Sequence, residues 1–402
     1  MTDFEVIVAG GGMVGLTLAA ALGGAGVTVA VVDRRPAPAM LEPVFDGRVS
    51  AIARGSRTVL DTVGVWDGLA GDAEPIREIR VSDGASPLHL HYDSAEVAAD
   101  ALGYIVENRH IRHALLERVR SLGCARLLDG RSIVRHERGP IEARVELEDG
   151  SELAARLLIA TDGRESPLRR AAGLGTVEWR YDQTGIVCTV AHERPHRGIA
   201  QERFLPSGPF AILPMTGNRS SIVWTERADV AARVLALDRD AFADELTWRF
   251  TDYLGALGIE GPVFSYPLAL TLAERYTADR LAVAGDAAHA IHPIAGQGFN
   301  LGIRDAAALA ETVVDASRLG IDTGSVAALA RYARWRRADN FAMLAATDGL
   351  NRLFSNDIAP VALGRRLGLA AVNRIPRLKR LFMRHAMGEL GERPRLARGM
   401  PL

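Results

Sequence analysis

The sequence predicts an α/β protein in which a mainly parallel sheet carries an inserted antiparallel sheet and is followed by a helical C-terminal region. Continuous apolar segments, of the kind buried on both faces of a parallel sheet, begin near residues 4, 27, 155 and 279. Between about residues 178 and 270 the pattern changes to period-two alternation bounded by turn residues, which is typical of antiparallel strands. From about Ser325 onward the pattern is helical.

Length, charge and cysteine content narrow the class of protein. The chain has 402 residues, more than a single hydrophobic core usually supports. Its 48 Lys and Arg against 49 Asp and Glu give a net charge of -1, so no overall electrostatic attraction to nucleic acid is expected. Cys124 and Cys188 lack both a disulfide framework and metal-site spacing, which favours a reducing, cytoplasmic compartment. No segment is apolar enough for a membrane span.

The first strand, "FEVIVAG", is followed by a glycine-rich turn, a helix and a second strand, "VTVAVVD". Gly10, Gly12 and Gly15 have the spacing of a dinucleotide-binding turn, and Asp33 ends the second strand. In such a turn the glycines permit tight folding, approach of a pyrophosphate and close packing of the helix on the sheet, while the carboxylate accepts from a ribose hydroxyl. The alternative is a glycine turn required only for packing.

Further elements follow from the same patterns. Helices are expected at 54–63 and 108–122, and buried strands at 155–163 and 279–286. On the C-terminal helix we expect core positions at Trp335, Phe341, Leu344 and Leu350.

The stretch "GDAAHAIHPIAGQGFNLGIRD", residues 285 to 305, concentrates glycines and polar residues directly after an apolar strand. Asp286, taken alone, is compatible with a simple helix N-cap. His289 and His292 are three residues apart, but no third ligand of suitable spacing lies nearby, so a packing or polar role is favoured over a metal site.

Three motifs together resemble the class A flavoprotein monooxygenases, the group of para-hydroxybenzoate hydroxylase: "GGGMVG", "TDGRESPLRR" and the stretch at 285 to 305. The run "HPIAGQGFNLGIRD" is similar to the signature of the ubiquinone-biosynthesis hydroxylases in particular. The motifs cover residues 4 to 310 in the family's order. The resemblance implies an α/β fold with a Rossmann-like FAD-binding domain, FAD as cofactor and NAD(P)H as co-substrate.

The resemblance also assigns roles to single residues. It implies that Asp33 binds the ADP half of FAD and that Asp286 binds the ribityl chain. Many relatives carry Glu at the position of Asp33. The resemblance places Arg48 against the cofactor, although a solvated loop arginine remains the alternative. Arg169 and Arg170, on the turn after Asp162-Gly163, are expected to attract pyridine-nucleotide phosphates, and exposed arginines at a helix start are the alternative. The implied cofactor-binding set is Gly10, Gly12, Gly15, Asp33, Arg48, Asn108, Asp162, Gly163, Gly285, Asp286, Pro293, Gly296, Gln297, Gly298 and Asn300.

The domain division that follows is discontinuous. We expect the FAD-binding domain at 1–75, 101–177 and 268–345, the antiparallel substrate domain at 76–100 and 178–267, and a helical basic region at 346–402.

The implied reaction is hydroxylation of an aromatic ring with O2 and NAD(P)H through a hydroperoxide at flavin C4a. The group's substrates suggest a polyprenylated phenol of ubiquinone biosynthesis, and the strands around 210–215 and 265–270 are expected to line its pocket. No catalytic residue can be named from the sequence: His292 and Pro293 are flavin-proximal candidates, while Tyr181, Tyr266, His292 or a water are alternative bases. A hydroxylase of another aromatic metabolite and a non-catalytic flavoprotein, acting as scaffold or redox sensor, are the competing hypotheses.

The C-terminal region is basic and amphipathic. After Pro376, Leu378, Leu381 and Phe382 fall on one side of a helix, with arginines largely on the other. This pattern predicts peripheral contact with the cytoplasmic membrane or with a biosynthetic complex, and a helix packed on the domain is the alternative.

Overall fold

The computed structural model describes residues 2–40, 47–84, 86, 89–250, 253–291, 296–356 and 358–402. Its strands are β1 (Phe4–Ala9), β2 (Val29–Asp33), β3 (Val49–Ala53), β4 (Glu74–Ile76), β5 (Glu78–Asp83), β6 (His89–Asp93), β7 (Gly103–Glu107), β8 (Ala125–Asp129), β9 (Ile133–Arg138), β10 (Ala143–Leu147), β11 (Glu152–Ala160), β12 (Thr176–His192), β13 (Ile199–Leu205), β14 (Gly208–Met215), β15 (Arg219–Arg227), β16 (Leu257–Ala273), β17 (Thr277–Ala278), β18 (Leu281–Val283) and β19 (His289–Ala290). Its helices are α1 (Met13–Gly24), α2 (Ala37–Met40), α3 (Arg54–Thr62), α4 (Asn108–Arg120), α5 (Pro167–Ala171), α6 (Ala228–Leu235), α7 (Arg239–Phe250), α8 (Gln297–Arg318), α9 (Val326–Phe354), α10 (Ala359–Arg374) and α11 (Pro376–Ala386).

The first sheet is built on parallel strands in the order β18-β11-β1-β2-β8. These strands come from widely separated parts of the chain, as the four apolar segments predict. Because β1 is covered on both faces, its apolar run is continuous rather than alternating. Helix α1 is buried over most of its length and packs against α4 and α8, which explains why it is apolar on all sides.

The second sheet has the order β19-β16-β12-β15-β14-β13-β5-β6. Its central strands are antiparallel, as predicted, whereas β13 pairs with β5 in parallel. One face is covered by α6 and α7 over a core containing Phe210, Trp224 and Phe242. The opposite face is free to form the wall of a cavity. The strands β3, β7 and β4 form a small third sheet in the order β3-β7-β4.

The chain is helical from about Ser325 onward, as predicted, and α9 begins at Val326 with the Ser325 side chain as its N-cap. Leu344 is buried and Trp335 packs at the edge of the main core. The prediction of core positions at Phe341 and Leu350 is wrong: they are 61% and 41% exposed. Helix α9 is covered along only part of its circumference, so helical periodicity alone could not indicate which apolar residues are covered.

In the described ranges, no helix combines the length and apolarity needed to cross a bilayer.

Candidate active site

A cavity of about 1330 Å³ lies between the carboxyl ends of the parallel strands and the open face of the second sheet. This is where ligands bind in open α/β sheets. Gly15, Gly285, Gln297 and Asn300 lie outside its lining, and His292 and Pro293 lie outside the described residues. The predicted site residues that line the cavity are Gly10, Gly12, Asp33, Arg48, Asn108, Asp162, Gly163, Asp286, Gly296 and Gly298.

In the glycine turn after β1, two glycines are required by protein packing and a third is not. A Cβ on Gly10 would lie 2.4 Å from the Thr161 carbonyl oxygen, and one on Gly15 would lie 2.0 Å from the Gly10 carbonyl oxygen. These two glycines are needed for α1 to pack against β1 and β11. A Cβ on Gly12 would meet no atom of the described residues within 4 Å. Its glycine is therefore not explained by protein packing and fits close approach of a ligand.

Asp33 organises the same turn. Its Oδ2 accepts from the Gly11 backbone N–H at 2.6 Å, and its Oδ1 accepts from the Arg35 N–H at 2.8 Å. The carboxylate lines the cavity, so its remaining lone pairs face the space where a ribose would lie.

Asp162 follows β11 and carries a polar atom suited to a ligand. Its Oδ1 is buried and has no hydrogen-bond partner among the described residues. Burial raises the pKa of this carboxyl, against the smaller opposing effects of hydrogen bonds and Arg169. An unpartnered buried oxygen in a ligand-sized cavity indicates that a bound group supplies the missing donor.

Arg169 and Arg170 differ, although the sequence groups them. Arg170 lines the cavity, whereas Arg169 is buried and donates from Nη1 to the Ala287 carbonyl at 2.9 Å. The hypothesis that Arg169 meets nucleotide phosphates is therefore wrong for the structure described. Its guanidinium instead ties α5 to the turn that carries Asp286.

The Asp286 turn closes directly against α1. Gly285 has φ +61°, and a Cβ there would lie 3.1 Å from the Val14 side chain. A Cβ on Gly302 would lie 2.5 Å from the same side chain. Val14 therefore fits between two glycines of the third motif, and this contact joins the first motif to the third. Asp286 itself is exposed to the cavity.

The N-terminus of α8 is fastened to β3 by Asn300. Its Nδ2 donates to the Ala51 carbonyl and its Oδ1 accepts from the Ala53 N–H, each at 2.8 Å. A Cβ on Gly296 would lie 2.8 Å from Ala51 Cβ, which shows how closely the two segments approach. Gly298 lies on the helix and lines the cavity, and a Cβ there would meet no described atom within 4 Å. The helix N-terminus thus presents accessible backbone to whatever fills the site.

Arg48 and Asn108 meet on the cavity wall between β3 and α4. The Asn108 N–H donates to the Arg48 carbonyl at 3.0 Å, and Ser50 Oγ donates to Asn108 Oδ1 at 2.7 Å. Arg48 is exposed and lines the cavity.

A buried ionic network lies immediately behind the Asp286 turn. Asp305 accepts from His289 Nε2 at 2.6 Å, from the Gly285 N–H at 3.0 Å and from Arg336 Nε at 2.8 Å. Asn340 donates to the same carboxylate at 3.1 Å. Burial alone would raise the pKa of Asp305, but His289 and Arg336 hold it well below its usual range. Sequence reasoning missed this network because Arg336 and Asn340 lie on α9, far from the motif.

The opposite wall is the open face of the second sheet. It contributes the apolar residues Val187, Ala211, Leu213 and Val223, and β16 adds Phe264. The prediction that the segments around 210–215 and 265–270 line the pocket is in line with this wall. Tyr266 lines the cavity, and burial raises the pKa of its phenol. Tyr181 does not line it, and its hydroxyl donates to Asp348 at 2.8 Å.

Comparison with known proteins identifies the family. Residues 3–346 match the model of the "FAD binding domain" family. The chain is 54% identical over 401 residues to the ubiquinone hydroxylase UbiL of Rhodospirillum rubrum, which covers 99% of this chain and 93% of the relative. This chain belongs to the FAD-dependent aromatic monooxygenases, in the family of the ubiquinone-biosynthesis hydroxylases. It is an enzyme that uses FAD as cofactor and NAD(P)H as co-substrate.

A second relative supports this family assignment, and a solved structure has the same fold. The chain is 35% identical over 389 residues to the 3-demethoxyubiquinol 3-hydroxylase of Escherichia coli, covering 96% of this chain and 98% of the relative. The fold is that of p-nitrophenol 4-monooxygenase PnpA from Pseudomonas putida, with a TM-score of 0.82, 21% identity and coverage of 98% and 99% of the two chains. The open space over Gly12 and Gly298 and the unpartnered Asp162 oxygen fit FAD.

We predict that Gly298→Ala weakens FAD binding without weakening the fold. The added methyl meets open cavity, so we expect FAD affinity to fall roughly tenfold or more, where each 1.4 kcal/mol is a factor of ten. The apoprotein should be unchanged or up to about 1 kcal/mol more stable, since Ala favours a helix over Gly. FAD titration and thermal unfolding of the apoprotein measure the two effects. Gly349→Ala, also helical and open but outside the cavity, should leave FAD affinity unchanged; equal affinity in the two variants would contradict the prediction.

We predict that Asp305→Asn destabilises the folded protein strongly. Removing the charge leaves buried Arg336 without its main partner, which costs about 3–5 kcal/mol. Because the folded pKa of Asp305 lies below its unfolded value, its stabilising contribution is complete at neutral pH and is lost only as pH falls below about 4. Denaturant unfolding at pH 7 measures the loss. Asp61→Asn, which breaks an exposed pair with Arg57, should cost less than about 1 kcal/mol, and comparable losses would refute a special role for the buried network.

Proposed function

We propose that this enzyme hydroxylates the ring of a polyprenylated phenol in ubiquinone biosynthesis, using O2 and NAD(P)H. The observation that carries the proposal is the 54% identity to a ubiquinone hydroxylase over nearly the whole of both chains. The cavity supports it, because one wall is the apolar face of the second sheet and suits an aromatic ring with an isoprenoid tail.

We further propose the cofactor roles and domain bounds inferred from the sequence. The glycine turn and Asp33 would hold the ADP half of FAD, with Arg48 and Asn108 on its flank. Asp162 and Gly163 would meet the passing dinucleotide, Asp286 would bind the ribityl chain, and the segment from Gly296 to Asn300 would present N–H groups to the flavin. The FAD-binding domain would comprise 1–75, 101–177 and 268–345, the substrate domain 76–100 and 178–267, and the basic helical region 346–402.

When bound, FAD supplies the redox chemistry that activates O2 with electrons from NAD(P)H. The protein's own contribution is to position and to exclude water. The N-terminus of α8 would offer a positive helix end to negative charge on the bound cofactor. Val187, Ala211 and Val223 hold the ring against the second sheet and keep that wall dry.

We predict substrate-stimulated oxidation of NAD(P)H by the purified FAD-loaded enzyme. Candidate prenylated phenols should raise the rate of NAD(P)H consumption and yield a product carrying one additional oxygen from O2, which mass spectrometry with labelled O2 detects. Simple phenols without a prenyl tail serve as the comparison. Product from simple phenols alone would favour a hydroxylase of another aromatic metabolite, and bound FAD without oxygenated product across the panel would favour a non-catalytic flavoprotein.

The C-terminal helices offer a means of reaching a substrate that resides in the membrane. Helix α10 buries Arg365, which pairs with buried Asp83 at 2.9 Å, and exposes Leu363 and Leu367. An ordinary surface helix buries its apolar residues and exposes its charged ones, whereas α10 buries an arginine and exposes two leucines. Helix α11 packs through Met383 and the aliphatic part of Lys379 rather than through the predicted apolar side. Leu381 and Phe382 therefore remain exposed.

We propose that these two helices dock the enzyme on an anionic membrane surface from the cytoplasmic side. The apolar residues on this surface are Ile358, Leu363, Leu367, Ile375, Leu381 and Phe382, between 44% and 61% exposed. Arg374, Arg377, Arg380 and Arg384 on the same two helices are exposed and positively charged. Apolar insertion combined with attraction to anionic lipid is the usual basis of interfacial binding.

We predict that the double variant Leu363→Glu, Leu367→Glu loses membrane binding. Two carboxylates at the inserting face oppose both apolar insertion and attraction to anionic lipid, so vesicle partitioning should fall about tenfold or more, at about 1.4 kcal/mol per factor of ten. Sedimentation with phosphatidylglycerol-containing vesicles measures it. Ile141→Glu, at an apolar position that is 77% exposed in the β9–β10 turn, should leave partitioning unchanged. Unchanged sedimentation of the double variant would instead favour contact with a partner protein.

A further inference from the structure

Glu202 is an acidic residue on the apolar wall of the cavity. It lies on β13 opposite Ala211 of β14, which pairs with Val223 of β15, which in turn pairs with Val187 of β12. All four line the cavity, so they form one cross-strand row on the open face. A carboxyl group at the end of an otherwise aliphatic row is not needed to complete the fold.

The surroundings of Glu202 give it little electrostatic support. On β14 and β15 the neighbouring cavity-facing residues are uncharged, and Val81 is its register partner on β5. Burial raises the pKa of Glu202 to about 7. Tyr266, Arg48 and Asp286 are among the titratable groups that line the same cavity, and the other charged lining residues lie near β2, β9 and β11. On the β5 side, Val81 packs with Phe354 and Leu369. There Arg365 and Arg366 of α10 are both paired with Asp83.

Two side-chain hydroxyl groups on β15 also lie on this face of the sheet. Ser221 and Thr225 are fully buried, line the cavity, and have no hydrogen-bond partner for their side-chain oxygens among the described residues. The Thr225 register partner is Gly185, and a Cβ on Gly185 would lie 2.9 Å from the ring of Tyr266. Thr225 and Tyr266 thus meet on the same patch of the wall.

Glu202 and the two β15 hydroxyls lie on the same open face but two strands apart. Strands β13 and β15 are separated by β14, so their backbones lie about 9–10 Å apart. Ser221 and Thr225 are fully buried behind the cavity surface, whereas Glu202 is partly exposed to it. Glu202 is therefore the group of the three that a ligand in the cavity can reach.

We propose that Glu202 accepts the proton of the substrate's phenolic hydroxyl. The inference rests on the proposed function, since it requires a phenol as substrate.

The proton transfer increases the reactivity of the ring. The O–H bond of the phenol breaks, an O–H bond forms on the Glu202 carboxylate, and the electron pair remains on the phenolic oxygen. Delocalisation of that pair into the ring raises the electron density at the ring carbons that are to be oxygenated. Glu202 later releases the proton to solvent through the open part of the cavity, so no additional reactant is consumed.

Neither tyrosine candidate performs this task as well. Tyr181 lies outside the cavity lining and is engaged with Asp348. Burial raises the pKa of Tyr266, so it keeps its proton and acts as a hydrogen-bond donor rather than as a base at neutral pH. Sequence reasoning missed Glu202 because "QERFL" carries no motif and lies on an ordinary strand.

The first test uses the FAD-loaded enzyme and needs no turnover. A nitrophenol, whose colour reports its ionisation, is bound to wild type and to Glu202→Gln, and its pKa in the complex is measured. In wild type the probe and Glu202 share one proton, so the bound nitrophenol should ionise in two coupled steps, whereas in Glu202→Gln it should ionise in a single step. Glu178→Gln, on an exposed part of β12, is the control and should match wild type. An identical probe pKa in all three proteins would overturn the proposal.

The second test follows the rate of phenol hydroxylation against pH. Wild type should gain activity as pH rises through about 7, the range in which Glu202 loses its proton. Glu202→Gln should lose this limb and about 100-fold or more in kcat/KM, within the usual range for a general base. A fluorinated, more acidic phenol, already ionised at the assay pH, should recover most of the loss.

These results separate two kinds of failure. If wild type oxygenates no phenol, the proposed function fails, while the probe titration still decides whether Glu202 contacts a phenolic hydroxyl. If wild type is active and Glu202→Gln keeps the same pH profile, Glu202 is not the proton acceptor. Loss of activity that the acidic phenol does not recover would indicate a structural role and would also overturn the proposal.

Discussion

The site depends on the ionic and hydrogen-bonded pairing of the buried Asp305 carboxylate. This carboxylate accepts from His289, from the Gly285 backbone and from Arg336, so one side chain joins the third motif, the turn that carries Asp286 and helix α9. A charge in such a place is tolerated only when it is fully paired. The pairing therefore fixes the path of the turn and presents Asp286 to the cavity. Helix α9, which has no residue in the cavity lining, contributes to the site by holding it.

The same turn is fixed from the other side by close packing. Val14 of α1 fits against Gly285 and Gly302, and Thr161 closes over Gly10. Where these glycines meet neighbouring protein, their role is structural. Where they face the cavity, as at Gly12 and Gly298, protein packing does not require them and a ligand explains them better. The glycine motifs thus contain both glycines required by protein packing and glycines that leave space for a ligand.

The two walls of the cavity differ chemically. The wall formed by strand ends and the α8 N-terminus carries backbone N–H groups, carboxylates and several arginines, whereas the wall formed by the second sheet is apolar except for Glu202, Ser221, Thr225, Ser265 and Tyr266. This division suits a polar dinucleotide on one side and an aromatic substrate on the other. The exposed leucines of α10 lie outside both walls, and their proposed membrane contact concerns access to the substrate rather than the reaction.

The sequence by itself determined the fold class, the parallel sheet built from separated apolar segments and the helices at α3 and α4, and most of the site residues it predicted line the cavity. These follow from local periodicity and from motifs in which neighbours in sequence are neighbours in space. Tertiary structure alone decided that Arg169 is buried, that Phe341 and Leu350 are exposed, and that Asp305 meets Arg336. It also placed Glu202, Ser221 and Thr225 on one sheet face. Such contacts join residues far apart in the chain, and burial depends on which face another element covers, so no local pattern records them.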